Sequence, residues 1–227
     1  MLLVAETSVP ATRTPAAAPV GPLAVTVTAI SPPAAGSAGG PSWVFPAPPS
    51  QLPLPRSDDG SLPRWAQKHG GAPASGNYLE IRLRALGDCP AVVDRLRVVV
   101  TRRRRAGAGT AVFLPAPDGG HVPPFLVADL DRTPIAVRST PGVDKAGRMI
   151  PQLTLPRAVS DVAPEVWHLQ AQTASYDCDW FAYLDWRCGG RSGSIRLDDR
   201  GEPFRIAGIR RATRVTATPD SAHWSAL

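Results

Sequence analysis

Metal-binding and cofactor-binding patterns are missing from this sequence, and their absence removes several classes of function. The 3 Cys and 4 His include no pair at the spacing of a zinc site. There is no phosphate-binding loop, no dinucleotide-binding glycine pattern and no HExxH helix. We therefore expect no metal and no other cofactor, and no motif argues for an enzyme.

Long apolar runs are also missing, so the sequence contains no candidate transmembrane helix. The apolar stub Met1–Ala5 is too short for the core of a signal peptide. As written, the chain predicts a soluble product, cytoplasmic by default. The same stub would remain if the true start lay upstream of Met1, just past a membrane span, and the domain would then be extracytoplasmic. The sequence leaves the true start and the localisation open.

Proline and glycine, by contrast, are abundant: the 227 residues include 26 Pro and 20 Gly, and 43% are hydrophobic. Such a composition favours many turns and few long helices, with enough apolar residues for a core. The sequence therefore predicts an all-β fold, a two-sheet β-sandwich of immunoglobulin-like architecture. We expect a disordered Pro/Ala-rich linker at 1–22, the sandwich domain at 23–218 and a C-terminal tail at 219–227.

Alternation of apolar and polar residues predicts the strands. It is clearest in Cys178–Arg187, where the even positions are apolar and the odd positions include Phe181 and Tyr183. The turn Cys188–Arg191 is expected to lead into a hairpin partner. One short helix is predicted over Ser61–Gly70, capped by its serine and ended by its glycine. The other predicted strands are Leu23–Ile30, Leu79–Ala85, Leu96–Val100, Thr110–Leu114, Pro124–Leu130, Gln152–Leu155, Val166–Ala171, Ser194–Leu197 and Arg214–Thr218.

The cysteines leave two disulfide pairings open. Cys178 and Cys188 lie ten residues apart in one predicted strand, or about 33 Å in extended chain. A disulfide requires Cα atoms within about 7 Å, so these two residues cannot pair with each other. A bridge from Cys89 to either of them is compatible with the sequence.

The basic residues are almost all arginine, and the densest run is formed by Arg102, Arg103, Arg104 and Arg105. The run follows a predicted strand and precedes a glycine-rich stretch, so we expect it at a solvated hairpin tip. The alternative is a patch that binds phosphates of nucleic acid or an anionic membrane surface. No aromatic residue lies between Arg82 and Arg105, so no stacking platform accompanies the run along the sequence.

Two arrangements resemble catalytic motifs and fail on inspection. Ser192 lies in a Gly-rich segment that lacks the final glycine of a nucleophile elbow and sits in a predicted hairpin. Asp179 and Asp185 are about 20 Å apart in a straight strand, and glycosidase carboxylates are about 5–10 Å apart. A hydrolase with dispersed catalytic residues and no recognisable motif remains an alternative.

The aromatic residues suggest a surface as well as a core. Most of the 6 Trp are expected to pack inside the sandwich. Phe181 and Tyr183 lie on the polar side of their strand, where they form a candidate patch for a protein or a glycan. The leading prediction is a non-catalytic binding or sensory accessory module with a protein partner. Binding of an anionic partner through Arg102–Arg105 is the second prediction, and the oligomeric state stays open.

A set of short motifs resembles an uncharacterised family of streptomycete and related actinobacterial proteins, over roughly residues 23 to 205. The motifs are Trp43–Pro46, Trp65–Gly71, Val127–Asp131, Asp161–Trp167, Cys178–Trp180, Leu184–Trp186, Gly193–Leu197 and Asp199–Phe204. Some members of that family look like regulators with a helix-turn-helix and a single membrane span before this domain. The resemblance implies no catalytic residues. Members often have cysteines at two places where this chain has Gly40 or Pro41 and Gly119-Gly120, so the resemblance does not support a family disulfide here. The chain also has no helix-turn-helix, so DNA binding does not carry over from such members.

Overall fold

The structure, a computed structural model, describes residues 21–30, 42–56, 62–87, 89–113, 122–216 and 222–227. Strands predominate throughout these residues, so the all-β prediction is confirmed. The predicted linker lies outside the described residues except for Gly21 and Pro22, and so does the predicted cap Ser61.

The strands and the helix follow the chain as a series of mostly short elements. They are β1 Leu23–Ile30, β2 Trp43–Phe45, α1 Leu62–Lys68, β3 Ala72–Pro73, β4 Tyr78–Ala85, β5 Ala91–Arg105, β6 Gly109–Phe113, β7 Phe125–Asp129, β8 Val137–Thr140, β9 Gly142–Val143, β10 Met149–Ile150, β11 Arg157–Val159, β12 Glu165–Gln172, β13 Tyr176–Cys188, β14 Arg191–Leu197, β15 Phe204–Ile206, β16 Ala212–Thr216 and β17 Ser225–Ala226. A 3-10 turn, Pro49–Gln51, lies between β2 and α1.

Two five-stranded sheets form the sandwich. In the first sheet, of order β1-β4-β12-β7-β8, only β12 and β7 are parallel neighbours. The second sheet has the order β11-β5-β13-β14. The long strand β13 lies at its centre, with β5 along one edge and with β14 and β15 sharing the other.

The inner sides of these two sheets enclose one apolar core. Along β13 the even positions are buried, as their alternation predicts. Burial of each large side chain contributes about 1.5–3 kcal/mol to stability, which is why the alternation determines which side of the strand faces inward. The residues that β13 contributes are Cys178, Trp180, Ala182, Leu184 and Trp186, and the opposing sheet contributes Ile81, Leu83, Trp167 and Leu169.

A third five-stranded sheet, of order β17-β16-β6-β2-β3, was not expected from the sequence. It has its own apolar cluster, in which Trp65 of α1 packs edge-on against Phe45 with ring centroids 5.1 Å apart. Trp224 packs against this cluster and donates a 2.8 Å hydrogen bond from Nε1 to the carbonyl oxygen of Leu52. The described end of the predicted C-terminal tail is therefore part of the fold, since β17 pairs with β16.

Most local predictions are confirmed, and one strand is wrong. Gly70 follows α1 with φ +73°, as a helix-ending glycine should. The turn after β13 contains Gly189 and Gly190, both with positive φ, and leads into β14. Residues 152–155, however, form no strand; β11 follows instead at Arg157–Val159.

The disulfide joins Cys89 to Cys188, with Cα atoms 6.1 Å apart, and Cys178 is a buried free thiol. The open choice of pairing is thereby resolved, and Cys178 and Cys188 are unpaired with each other, as expected. The bridge fastens the end of β13 to the segment that enters β5. No helix among the described residues is both long and apolar enough to cross a membrane.

Candidate binding face on the second sheet

The side of the second sheet that faces away from the core carries charged and aromatic residues on every strand except the short β11. We call this side the outer face. It is formed by Arg95, Arg97, Val99, Arg102 and Arg104 of β5, by Asp177, Asp179, Phe181, Tyr183 and Asp185 of β13, by Ser194 and Arg196 of β14, and by Arg205 of β15. The face follows from the alternation of β13, because the residues between its buried positions must point outward.

The arginine run is placed differently from the expectation. Arg102–Arg105 is the last part of β5, not a hairpin tip, and the chain then crosses to the third sheet. Thr101 has no register partner in β13 and forms a β-bulge. The bulge shifts the register by one residue, so that Arg102 lies opposite Asp179 and Arg104 opposite Asp177. The strand therefore separates the run, with Arg102 and Arg104 on the outer face and Arg103 and Arg105 on the other side.

The Arg103 side chain points toward the core and donates hydrogen bonds to backbone carbonyl oxygens. Its Nη2 donates hydrogen bonds to the carbonyl oxygens of Leu130 at 2.7 Å and Arg132 at 3.3 Å, and its guanidinium lies 5.3 Å from the ring centroid of Tyr176. It is also the register partner of Cys178, where burial raises the pKa of the thiol and the neighbouring guanidinium opposes part of that rise. Arg103 thus joins the end of β5 to the loop after β7.

Each of the two predicted aromatic residues lies beneath a guanidinium. Arg97 lies 5.2 Å from the ring centroid of Tyr183, and Arg196 lies 4.9 Å from that of Phe181. Both distances fall within the range of a cation–π interaction. Phe181 is paired with Val99, whose exposure of 39% adds apolar surface beside the ring.

At one end of the outer face the charges are closely paired. Asp185 accepts hydrogen bonds from Arg97 at 2.7 and 2.8 Å and from Arg95 at 3.1 Å. The hydrogen bonds from Arg97 hold the pKa of the Asp185 carboxyl well below its ordinary value, against the opposing effect of burial. This end is a fixed polar network with few unused donors.

At the other end the pairing is loose. Asp179 lies between Arg102 and Arg205, with closest N–O distances of 3.8 and 3.9 Å. Asp177 accepts a hydrogen bond from the backbone N–H of Gly208, and Arg104 makes no hydrogen bond or ion pair with another described residue. We call Arg102, Arg104 and Arg205 the Arg corner.

The sequence predicts Phe181 and Tyr183 as one candidate patch and Arg102 and Arg104 as part of another, and only the fold brings them together. No aromatic residue accompanies the arginines along β5, because the aromatic residues of the face come from β13, its neighbour in the sheet. Arg97 and Val99 were detectable, since they alternate with buried residues of β5. Nothing in the local sequence indicated that Arg205 would join the same face.

The catalytic alternatives gain no support from the geometry. Ser192 lines an open depression of about 330 Å³ beside the disulfide, and the described residues of its lining include no carboxylate and no histidine. Asp179 and Asp185 are each paired with arginines at opposite ends of the outer face. In the part of the chain that the structure describes, no group of three or more His, Cys, Asp or Glu residues is arranged to hold a metal ion.

Comparison of the chain with protein-family models, with curated proteins and with solved structures finds no match.

Proposed function

We propose that this domain is a non-catalytic binding module whose outer face on the second sheet takes a protein partner. The observation that carries the proposal is the aromatic centre of that face. There Phe181 and Val99 leave apolar surface exposed between rows of arginines on the neighbouring strands. Aromatic residues and arginine are enriched where proteins bind each other, and the charged residues around the centre of an interface orient the partner.

The pattern of charge favours a protein over a polyanion. A nucleic acid or an anionic membrane presents a nearly continuous row of negative charge, about one per 1.7 Å along duplex DNA. The outer face alternates in sign, with Asp177, Asp179 and Asp185 beside its arginines. A continuous row of negative charge would also have to cross the end of the face where Asp185 already occupies the arginines, whereas a protein surface offers discrete charges that match an alternating pattern.

The aromatic geometry argues against stacking of a sugar or a base. A stacking platform needs a ring whose flat side is open to the ligand. On this face the guanidinium of Arg196 lies over Phe181, and that of Arg97 lies over Tyr183. A partner therefore meets guanidinium groups and ring edges, a combination suited to carboxylates, carbonyl groups and aliphatic side chains.

Selection from a displayed random peptide library tests this proposal without knowledge of the natural partner. The immobilised target is the full chain, and each recovered peptide is then measured against Phe181→Ala, Arg196→Ala and the control Val166→Ala. Val166 is an exposed apolar residue on the first sheet, away from the outer face.

We expect peptides whose affinity falls at least about tenfold in the two outer-face variants and stays within about twofold in the control. Circular dichroism and thermal unfolding establish that the variants are folded. The proposal is wrong if no peptide is enriched, or if the enriched peptides bind the outer-face variants as tightly as the original chain.

A further inference from the structure

We propose that the partner docks on the outer face with an extended acidic segment of the pattern acid-x-acid-x-apolar. The two carboxylates bind the Arg corner, and the apolar side chain contacts Val99 and Phe181. This inference rests on the proposed function and names the chemistry of the partner.

The Arg corner has hydrogen-bond donors that its own carboxylates do not use. Each guanidinium offers five N–H donors, and a carboxylate can accept two of them side by side. Asp179 is the nearest carboxylate to both Arg102 and Arg205, and the 3.8 and 3.9 Å separations are longer than a hydrogen bond. The unused donors of the Arg corner are therefore open to acceptors from outside these strands.

The depth of the groups gives the corner a positive outermost layer. The Asp179 side chain is 18% exposed, whereas those of Arg102 and Arg205 are 56% and 75% exposed. Short carboxylates lie close to the sheet and long guanidinium groups project above them. An approaching segment meets the positive charges first, which favours carboxylates there.

At the opposite end of the outer face, the arginines are already bound by carboxylates of the chain itself. Asp185 binds Arg97 and Arg95 with closest distances of 2.7 and 3.0 Å. Arg187 is paired with Asp94 at 3.1 Å. Arginines on the same sheet are thus engaged at one end and available at the other, so the charge complementarity locates the partner's acids at the Arg corner.

The spacing of the corner gives the spacing of the acids. Arg104 and Arg102 alternate on one strand, about 6.8 Å apart, which equals the distance between residues i and i+2 of an extended peptide. A further step of the same length along the sheet leads from the Asp179–Arg102 pair to the Phe181–Val99 pair. An extended segment therefore places two alternate acids over arginines and the next alternate side chain over apolar surface.

A second copy of this chain fits the outer face less well. Two such faces brought together would oppose their projecting arginines, because the carboxylates lie deeper in both copies. Like charges held together in this way are destabilising at an interface.

The experiment uses the peptides that bind through the outer face. Their sequences are expected to be enriched in alternate Asp or Glu followed by an apolar residue, and a consensus peptide is synthesised in acidic and in Gln/Asn form. We expect the amide form to bind the original chain at least about tenfold more weakly than the acidic form does. We also expect the acidic form to bind the double variant Arg102→Ala/Arg104→Ala at least about tenfold more weakly than it binds the original chain. The control Arg187→Ala, at the paired end of the sheet, should change affinity less than about twofold.

The result separates this inference from the proposed function. Peptides that need Phe181 but not their acids, or that bind equally after the double arginine replacement, overturn the acidic-segment inference and leave the binding module standing. Absence of any outer-face binder overturns both. Tighter binding of duplex DNA or of phosphatidylglycerol vesicles than of the acidic peptide, lost in the same double variant, would identify a polyanion as the ligand and reject the inference. Dimerisation in sedimentation experiments that Arg104→Ala abolishes would identify a second copy and also reject it.

Discussion

Arg103 and Arg104 are neighbours in one run of arginines, yet their replacement by alanine should have very different effects on stability. Arg103→Ala removes a charged donor from the carbonyl oxygens of Leu130 and Arg132 and a guanidinium from the ring of Tyr176. A hydrogen bond from a charged group contributes about 1.5–3 kcal/mol, and a partly exposed cation–π contact adds about 0.5–1 kcal/mol. We therefore expect Arg103→Ala to lower the free energy of unfolding by about 2–4 kcal/mol.

Arg104→Ala is the matched control, because its side chain is exposed and makes no hydrogen bond or ion pair with another described residue. Its effect should lie within about 0.5 kcal/mol. Urea unfolding followed by tryptophan fluorescence measures both variants, and the slope with urea should stay unchanged. Equal unfolding midpoints for the two variants would refute the placement of Arg103 at the core side of β5 and would restore the solvated run expected from the sequence.

Three further predictions concern the disulfide, the packing of the hairpin and the charge network. Cys89→Ser opens a bridge that spans 99 residues and should cost about 2–5 kcal/mol of unfolding free energy in thermal or urea unfolding. Gly193→Ala would place a Cβ 2.7 Å from the indole of Trp186 and should cost about 1–3 kcal/mol in the same measurement. Asp185→Asn should destabilise the fold at neutral pH. Because the pKa of Asp185 is lowered in the folded state, the difference in unfolding free energy between the original chain and the variant is complete above about pH 5. That difference should decline as the pH falls below about 4, toward the lowered pKa.

Each of these predictions has its own control. A reducing agent should destabilise the original chain and leave the Cys89→Ser protein unchanged; an equal effect on both would contradict the role of the bridge. Gly107→Ala adds a Cβ with no atom within 4 Å and should stay within about 0.5 kcal/mol. A stability difference between Asp185→Asn and the original chain that grows as the pH falls would contradict the sign of the pKa shift.

The sandwich was predictable because its strands alternate so regularly. In β13 every second residue is apolar, and burial of those residues leaves only one way to orient the strand. The short helix was predictable from local chemistry, since Gly70 can adopt the positive φ that ends it. Both features depend on residues that are close together in the sequence, so the sequence alone is enough to predict them.

The arrangement of the outer face depends on pairings between distant residues, and those the sequence did not reveal. Asp179 pairs with Arg102 only because a bulge at Thr101 shifts the register by one residue. Alternation along β5 separates Arg103 from Arg102 and Arg104, which read as one patch in the sequence, and the bulge determines which side each of them takes. The third sheet was missed for a similar reason, because its short strands come from the beginning, the middle and the end of the chain. Gln152–Leu155 alternates as a strand should, but it has no partner strand among the described residues.

Cys178 gives the sandwich an internal reporter of its own opening. With the other two sulfur atoms joined to each other, it is the single thiol of the chain, and it lies shielded between the sheets. A thiol reagent can reach it only when the sheets separate, so the rate of its modification measures how often they part. A partner that binds only the closed sandwich would lower the population of the open form and slow this reaction. The buried sulfur is therefore a detector for binding on the opposite side of its own strand.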